Sequence, residues 1–464
     1  MKGVYVVVRI SSIARTLCAA LLVLALLMAG CGSKSSSQTF VGSNVVSINP
    51  VELLADITES IEQPITHALD GWDWTSFSKN FGSLLTSFRY TIEMQKVTYE
   101  STGADGQVHT MTGLLILPKG GKPSVPILMY QHGTEVYRQF SPSQYLTHRD
   151  KPTDYPEVMV AAAIAATGYA VALVDYEGMG DNTNTQPHVV GAVLAQQVID
   201  LLRASRDIIA GKDSPCSWNS QLFLMGYSEG GYVTMATTRE LQLNHAAEFT
   251  VTASAALSGP YDLSGTMRGV ILGSILTEPD GSFKSPYFVP MILTSYNYAY
   301  GGQTANFNPD FALITTYNKD LPPLFDGNSQ SDAISEAMGM TFSPVKLIEP
   351  KSVLTQPFID HLTSDTGLGS AFAFLQLNDS YRGWVPAMPM LLVHHPDDDL
   401  VPFANSQAAF DAFFAADSTT TTNNVELVEE DAEITITDPV KTVHVGSAFP
   451  ELLRGWEWLD DLKE

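Results

Sequence analysis

The 464-residue chain is short of cysteine and of basic side chains, and each shortage excludes something. It has 3 Cys, at positions 18, 31 and 216, too few for a disulfide framework. Stability therefore has to come from a buried core, which a chain of this length can build. Lys and Arg number 25 against 50 Asp and Glu, a formal net charge of −25. Such a surface repels phosphate backbones and anionic bilayers, which excludes nucleic-acid binding and a polybasic membrane patch. No internal repeat is evident. The apolar run from Leu17 to Ala29 falls short of the roughly 20 residues that a lasting membrane span needs.

Lys2, Arg9 and Arg15 precede that run, the order of an export signal with a basic n-region and an apolar h-region. It ends in Leu27-Met28-Ala29-Gly30-Cys31, which resembles the lipobox of bacterial lipoproteins. The resemblance implies that residues 1–30 are a signal peptide, that Cys31 is acylated, and that a lipid anchors the exported protein to the cell envelope. No aspartate follows Cys31, so nothing resembles the inner-membrane retention signal, and the outer membrane is the expected destination. Residues 31–45, with their Ser and Gly, suggest a flexible tether. Cys216 is then left without a partner.

Residues 46 to about 87 suggest a helical lead-in whose Trp72, Trp74 and Phe77 pack on the body. Arg89 to Tyr99 and His109 to Leu117 suggest paired strands, with Gly103-Ala104-Asp105-Gly106 turning between them. Apolar runs at 125–130, 170–174, 222–225 and 251–257 then alternate with helical patterns at 158–166 and 190–202. That alternation predicts an α/β fold, a mostly parallel sheet with helices on both faces. It fails between about 261 and 385, where Phe, Tyr, Met, Pro and Gly abound, and an inserted, mainly helical cap is expected there. A strand at 390–393, another within 423–436, and a last helix carrying Phe449, Leu452, Leu453, Trp456 and Leu459 on one side complete the core. The core thus comes in two parts, 46–260 and 386–464, around a 261–385 cap.

The most informative stretch is Gly226-Tyr227-Ser228-Glu229-Gly230-Gly231. It follows the strand-like run Gln221 to Met225 and opens the proline-free stretch Tyr232 to Leu243. Ser228 therefore stands at a strand-to-helix turn, where small neighbours let the chain bend and lift the hydroxyl clear of the sheet. The alternative is a serine that only caps the helix. A serine hydroxyl is a poor nucleophile without a base, usually a histidine oriented by a carboxylate. Strand 390–393 runs into His394-His395-Pro396-Asp397-Asp398-Asp399-Leu400-Val401-Pro402. An aspartate three residues before Val-Pro resembles the acid loop of α/β-hydrolases, in which the chain order is Ser, acid, His. The resemblance places the acid at Asp398, with Asp397 and Asp399 as alternates. The cluster could otherwise be an acidic surface loop or a metal site. His444 is the only histidine after Asp398. One oxyanion donor is expected from the backbone N–H of Glu229. Gln131-His132-Gly133-Thr134 resembles the His-Gly loop that supplies the second, which puts that donor at Thr134 and leaves His132 to hold the loop. Asp175-Tyr176-Glu177-Gly178-Met179-Gly180 suggests a structural turn near the pocket.

Over about residues 90–260 and 386–464 these motifs resemble the α/β-hydrolase fold. The loop at 131–134, the turn at 226–231 and Ser258-Gly259-Pro260-Tyr261-Asp262 are similar to the secretory lipases and related bacterial esterases. The resemblance implies hydrolysis of small-molecule or lipid esters through an acyl-enzyme on Ser228, with neither cofactor nor metal. Two rivals stay open. One is a serine peptidase of the prolyl-oligopeptidase type, although too few residues precede the first strand to form a β-propeller. The other is a non-catalytic surface lipoprotein that only binds. The cap's aromatic and Met residues either line an apolar acyl or aryl pocket or pack the cap's own interior. Nothing in the sequence sets the oligomeric state.

Overall fold

Strand formation begins earlier than the composition suggests. The computed structural model describes residues 41–49, 52, 84, 86–273, 283–342, 344–364, 370–416, 424–434 and 442–464. Residues 1–40 with Cys31, and Trp72, Trp74 and Phe77, lie outside the described residues. Strand β1 (Val41–Ile48) pairs antiparallel with β2 (Thr91–Thr102), from Val41 opposite Thr98 to Ile48 opposite Ile92. Residues 41–48 are therefore neither tether nor helical lead-in. Val45, Val46 and Ile48 prefer extended backbone, and Ile48 is fully buried, which outweighs the Gly and Ser beside them. The register slips between Ser43 and Val46, an irregularity suited to an outermost strand.

β2 pairs with β3 (Val108–Lys119) along its whole length, as the intervening turn residues imply. The remaining strands are β4 (Ser124–Gln131), β5 (Ala170–Val174), β6 (Ser217–Tyr227) and β7 (Ala253–Leu257). A two-residue hairpin of β8 (Thr341–Phe342) and β9 (Val345–Lys346) stands apart, and β10 (Met390–His394) and β11 (Val425–Glu429) return to the main sheet. The sheet runs β1-β2-β3-β5-β4-β6-β7-β10-β11. It is parallel from β5 to β11 and antiparallel at its β1–β3 end.

Alternate residues of the central strands feed two separate cores. Ile127, Met129, Leu222 and Leu224 face α2 (Gly191–Ala210) and α3 (Glu229–Asn244). Leu128, Tyr130, Phe223 and Met225 face α1 (Pro156–Ala166) and the last helix. α1 is buried on nearly every side, which accounts for its almost purely Ala, Val, Ile and Met composition. Its terminal Ala166 carbonyl accepts from the N–H groups of Arg89 and Tyr90, so the lead to β2 closes the helix end.

Residues 258–389 leave the main sheet between β7 and β10. They include α4 (Phe288–Tyr300), α5 (Ser331–Ala337), α6 (Gln356–Ser364) and α7 (Ala371–Leu377). Tyr296, Phe307 and Phe374 pack edge-on at their centre, with Tyr296–Phe307 and Phe307–Phe374 centroids 5.0 and 5.9 Å apart. α8 (Ala404–Ala416) and α9 (Val443–Asp460) complete the fold. Leu452, Leu453, Trp456 and Leu459 of α9 press on the sheet with Phe449 half-buried beside them.

Candidate active site

The sheet order reverses at β4, since its sequence successor β5 lies on one side and β6 on the other. A crevice is expected at the carboxyl ends of strands at such a reversal. β4 ends at Gln131 and β6 at Tyr227, so the loop at 131–134 and the serine turn meet there. Two glycines make that meeting possible. A Cβ at Gly226 would stand 2.5 Å from the Gln131 carbonyl oxygen, and one at Gly230 would overlap the same atom. Between them Ser228 has φ 59° and ψ −124°, a conformation costly for any residue with a side chain. The turn is held by Ser228 N–H donating to Leu257 O at 3.0 Å and Tyr232 N–H to Ser228 O at 3.1 Å. The Ser228 hydroxyl caps no backbone N–H of α3.

The hydroxyl instead meets His444 Nε2 at 2.8 Å, and His444 Nδ1 meets Asp398 Oδ2 at 2.5 Å. The structure thus brings Ser228, Asp398 and His444 together from three segments. Asp398 is buried, and its Oδ1 accepts the N–H groups of Leu400 and Val401 at 2.9 and 2.8 Å. Burial pushes the Asp398 carboxyl up, but the facing His444 and the bond from His394 override it and hold the group well below the usual carboxylate range. An ionised Asp398 selects the tautomer with the proton on Nδ1, leaving Nε2 free to accept from Ser228. The neighbouring aspartates are employed otherwise. Asp397 is exposed. Asp399 accepts Val443 N–H at 2.7 Å and pairs with Lys284 at 2.5 Å, tying the acid loop to the start of α9 and to the inserted segment.

Three further buried groups support this site without having been assigned a role from the sequence. His394 places Nε2 3.2 Å from Asp398 Oδ2 and 2.7 Å from Val401 O, with Nδ1 2.7 Å from Ser406 Oγ. Glu451 accepts the Ser258 hydroxyl at 2.7 Å and His395 N–H at 3.0 Å, bracing the ends of β7 and β10. Burial, joined by the charge of Asp398, lifts the Glu451 carboxyl well above its ordinary value. His444, Ser447 and Glu451 recur at helical spacing on one face of α9, a phase signal that the sequence does contain. His188 is the third and lies against Glu229.

A Cβ at Gly133 would lie 3.7 Å from Ser228 Cβ, so the 131–134 loop passes directly beside the serine. His132 turns its Nδ1 onto Gly133 O at 2.7 Å and packs at a tilt against Tyr176, whose hydroxyl donates to His132 O at 3.2 Å. The turn at 175–180 is structural here. Asp175 accepts from Thr112 Oγ1 at 2.6 Å and Ser143 N at 2.9 Å, and Tyr176, Gly178 and Gly180 all have positive φ.

Thr134, Ser228 and Glu229 line a cavity that opens to solvent, with His188 beside them. Its wall is otherwise almost wholly apolar, with Leu263, Met267, Phe283, Phe288 and Ile292 from the inserted segment and Leu400 and Val401 from the acid loop. The insertion's aromatics therefore divide. Phe283 and Phe288 line the cavity, while Tyr296, Phe307 and Phe374 pack against one another. The two histidines of the acid loop point apart, since His395 Nε2 faces Ala432 O at 3.0 Å. Among the described residues, the one group of His and carboxylates near enough to share a cation is Asp105, His109 and Glu177. Glu177 is already bonded there to Ala104 N, Asn184 and Tyr298. No described helix is long and apolar enough to cross a membrane.

Residues 147–276, the segment that contains the serine turn, match the sequence profile of the secretory lipase family. Comparison with curated proteins gives no match. Among solved structures, a Legionella pneumophila protein named as a hydrolase is 21% identical over 91% of this chain and 97% of its own, with a TM-score of 0.70. The rice cell wall degrading esterase LipA from Xanthomonas oryzae is 25% identical over 91% and 95%, with a TM-score of 0.64. Candida antarctica lipase A is 16% identical over 76% and 74%, with a TM-score of 0.53. The fold is that of the α/β-hydrolases, a mostly parallel central sheet flanked by helices.

Proposed function

We propose that this chain, a carboxylic ester hydrolase, works by serine-based acyl transfer with Ser228 as nucleophile, His444 as general base and acid, and Asp398 as the group that orients His444. The observation that carries the reading is His444 bridging Ser228 Oγ and Asp398 Oδ2 at 2.8 and 2.5 Å. As Oγ attacks the ester carbonyl carbon, its proton passes to Nε2 and the carbonyl π electrons move onto oxygen. The N–H groups of Glu229 and Thr134 receive that charge; losing one such donor typically costs about 3 kcal/mol in the transition state. Collapse expels the alkoxide, which takes the proton from Nε2 and leaves as an alcohol. A water then gives its proton to Nε2, attacks the acyl carbon and releases the acid, and Ser228 recovers its proton. No step calls for a cofactor.

The apolar wall favours an acyl or aryl group that shares this character. The secretory lipase match is consistent with export. We further infer that export ends in acylation of Cys31 and attachment to the cell envelope, as the Leu27–Cys31 sequence implies.

The test compares p-nitrophenyl acyl esters of graded chain length with aminoacyl-p-nitroanilides, alongside fluorophosphonate labelling. Ester turnover and labelling at Ser228 are expected. Faster turnover of the anilides would replace the esterase with a peptidase, and a folded protein that resists the probe would return it to a binding role.

A further inference from the structure

The residue after the nucleophile carries a charge where an ester hydrolase can least tolerate one. Glu229 follows Ser228 directly, its side chain is fully buried, and the residue lines the cavity beside the serine. Burial alone would keep that carboxyl neutral, yet nearby histidine, His188 first and His132 behind it, holds it below its ordinary value, so it is ionised at neutral pH. A buried carboxylate beside a developing oxyanion opposes the reaction unless something cancels it.

His188 is placed to cancel it. Its Nδ1 stands 2.9 Å from Glu229 Oε1, with the imidazole side chain 5% exposed. The His188 contact is off the line of a well-formed hydrogen bond, and the N–H of the next residue, Val189, also helps to hold the Glu229 carboxyl down. The pairing is therefore set by where the backbone at 188–189 puts the ring and that N–H.

That backbone is strained and held from several sides. Val189, the next residue, has φ 49°, a rare conformation for a β-branched side chain. Its carbonyl accepts the hydroxyls of Tyr232 in α3 at 3.0 Å and Tyr296 in α4 at 3.3 Å. Two residues on, Gly191 N–H donates to Asn378 Oδ1 at 3.1 Å. On its other face the His188 ring stacks on Phe288 at the start of α4, with centroids 5.9 Å apart and planes at 20°. One short segment thus gathers the nucleophile's helix and the inserted segment around a single imidazole.

We propose that His188 is a positioning residue that partners the Glu229 carboxylate beside the proposed oxyanion site and fixes that residue against the inserted segment. The proposal rests on the reading of Glu229 N–H as an oxyanion donor. His188 touches neither Ser228 Oγ nor the reacting carbonyl in this scheme; it acts through Glu229. Removing it leaves an uncompensated buried charge one residue from the nucleophile. Removing the charge as well should undo much of the harm, which separates this role from one of simple packing.

The experiment is a double-mutant cycle on the full chain, with His188→Ala, Glu229→Gln and the pair together. It reads kcat and KM for p-nitrophenyl butyrate, the fraction labelled by a fluorophosphonate, and Tm. His188→Ala is expected to lower kcat roughly 10- to 100-fold with KM changed less than about threefold, as for loss of an interaction felt in the transition state. The double variant should be at least about tenfold faster than His188→Ala, a non-additivity expected of two groups in direct contact. A double variant no better than His188→Ala would overturn the proposal, as would a His188→Ala enzyme of wild-type kcat. If His188→Ala fails to fold, His188→Asn, which keeps a polar group near Glu229 but loses the imidazole, takes its place with the same required rescue. Wild-type protein that neither cleaves esters nor takes the probe would instead defeat the parent reading, an outcome distinct from an active enzyme with additive substitutions.

Discussion

Two carboxyl groups within one site are driven in opposite directions by their partners. Asp398 is surrounded by donors and two histidines and is held well below the usual carboxylate range, while Glu451, equally buried, has that same Asp398 charge for a neighbour and is pushed well above it. Asp398→Asn should leave His444 without its orienting charge and lower kcat about 10⁴-fold. Ser228→Ala should abolish turnover while moving Tm by no more than a degree or two, because the serine's own side chain caps and packs little; a large fall in Tm would make the residue structural. Glu451 makes a pH prediction. Its folded pKa is raised, so its contribution to stability is fully present below the unfolded value of about 4.3 and is lost as pH rises above that. Glu451→Gln keeps a neutral group of the same shape and has no proton to lose. Its Tm relative to wild type should therefore climb as pH rises above about 4.3, and calorimetry against pH decides it. A difference that stays flat with pH would mean that Glu451 is ionised in the folded protein.

At the scale of elements, the crossing of α3 over the end of β4 is the tightest joint near the site. Gly230→Ala should cost about 1–3 kcal/mol or more by urea unfolding, since the new methyl meets a backbone carbonyl that cannot step aside. Most strands were legible because a strand buried on both faces has to be an apolar run, as at 170–174 and 390–393. β1 escaped because an outermost strand can carry Gly, Ser and Asn, so its pairing with β2 left only four branched residues, Val41, Val45, Val46 and Ile48, as a trace. The serine turn was legible because its glycines are forced by contact with Gln131. Asp398 was singled out by the resemblance of its loop to the α/β-hydrolase acid loop, with Asp397 and Asp399 as alternates, and His444 by chain order and the scarcity of histidine. Glu451 and His188 were not, because each earns its place only through a neighbour far away in sequence, Ser258 for one and Glu229 for the other.

At the scale of the molecule, a strongly acidic surface has no electrostatic attraction for an anionic bilayer, and the anchor proposed here is the lipid on Cys31. Cys31→Ser should move the protein from the membrane fraction to the soluble one and abolish palmitate incorporation; continued labelling would show that the Leu27–Cys31 sequence is not a lipobox. The insertion between β7 and β10 yields a second prediction. Phe283→Ala hollows the cavity wall without touching the Tyr296–Phe307–Phe374 cluster, and should shift preference among p-nitrophenyl esters towards longer acyl chains by several-fold in kcat/KM. An unchanged chain-length profile would place the acyl group elsewhere. That separation of lining from cluster has a consequence for descent. A lineage could revise its diet by substitutions at the wall alone, generation after generation, while the knot of aromatics that gives the insertion its shape is inherited intact.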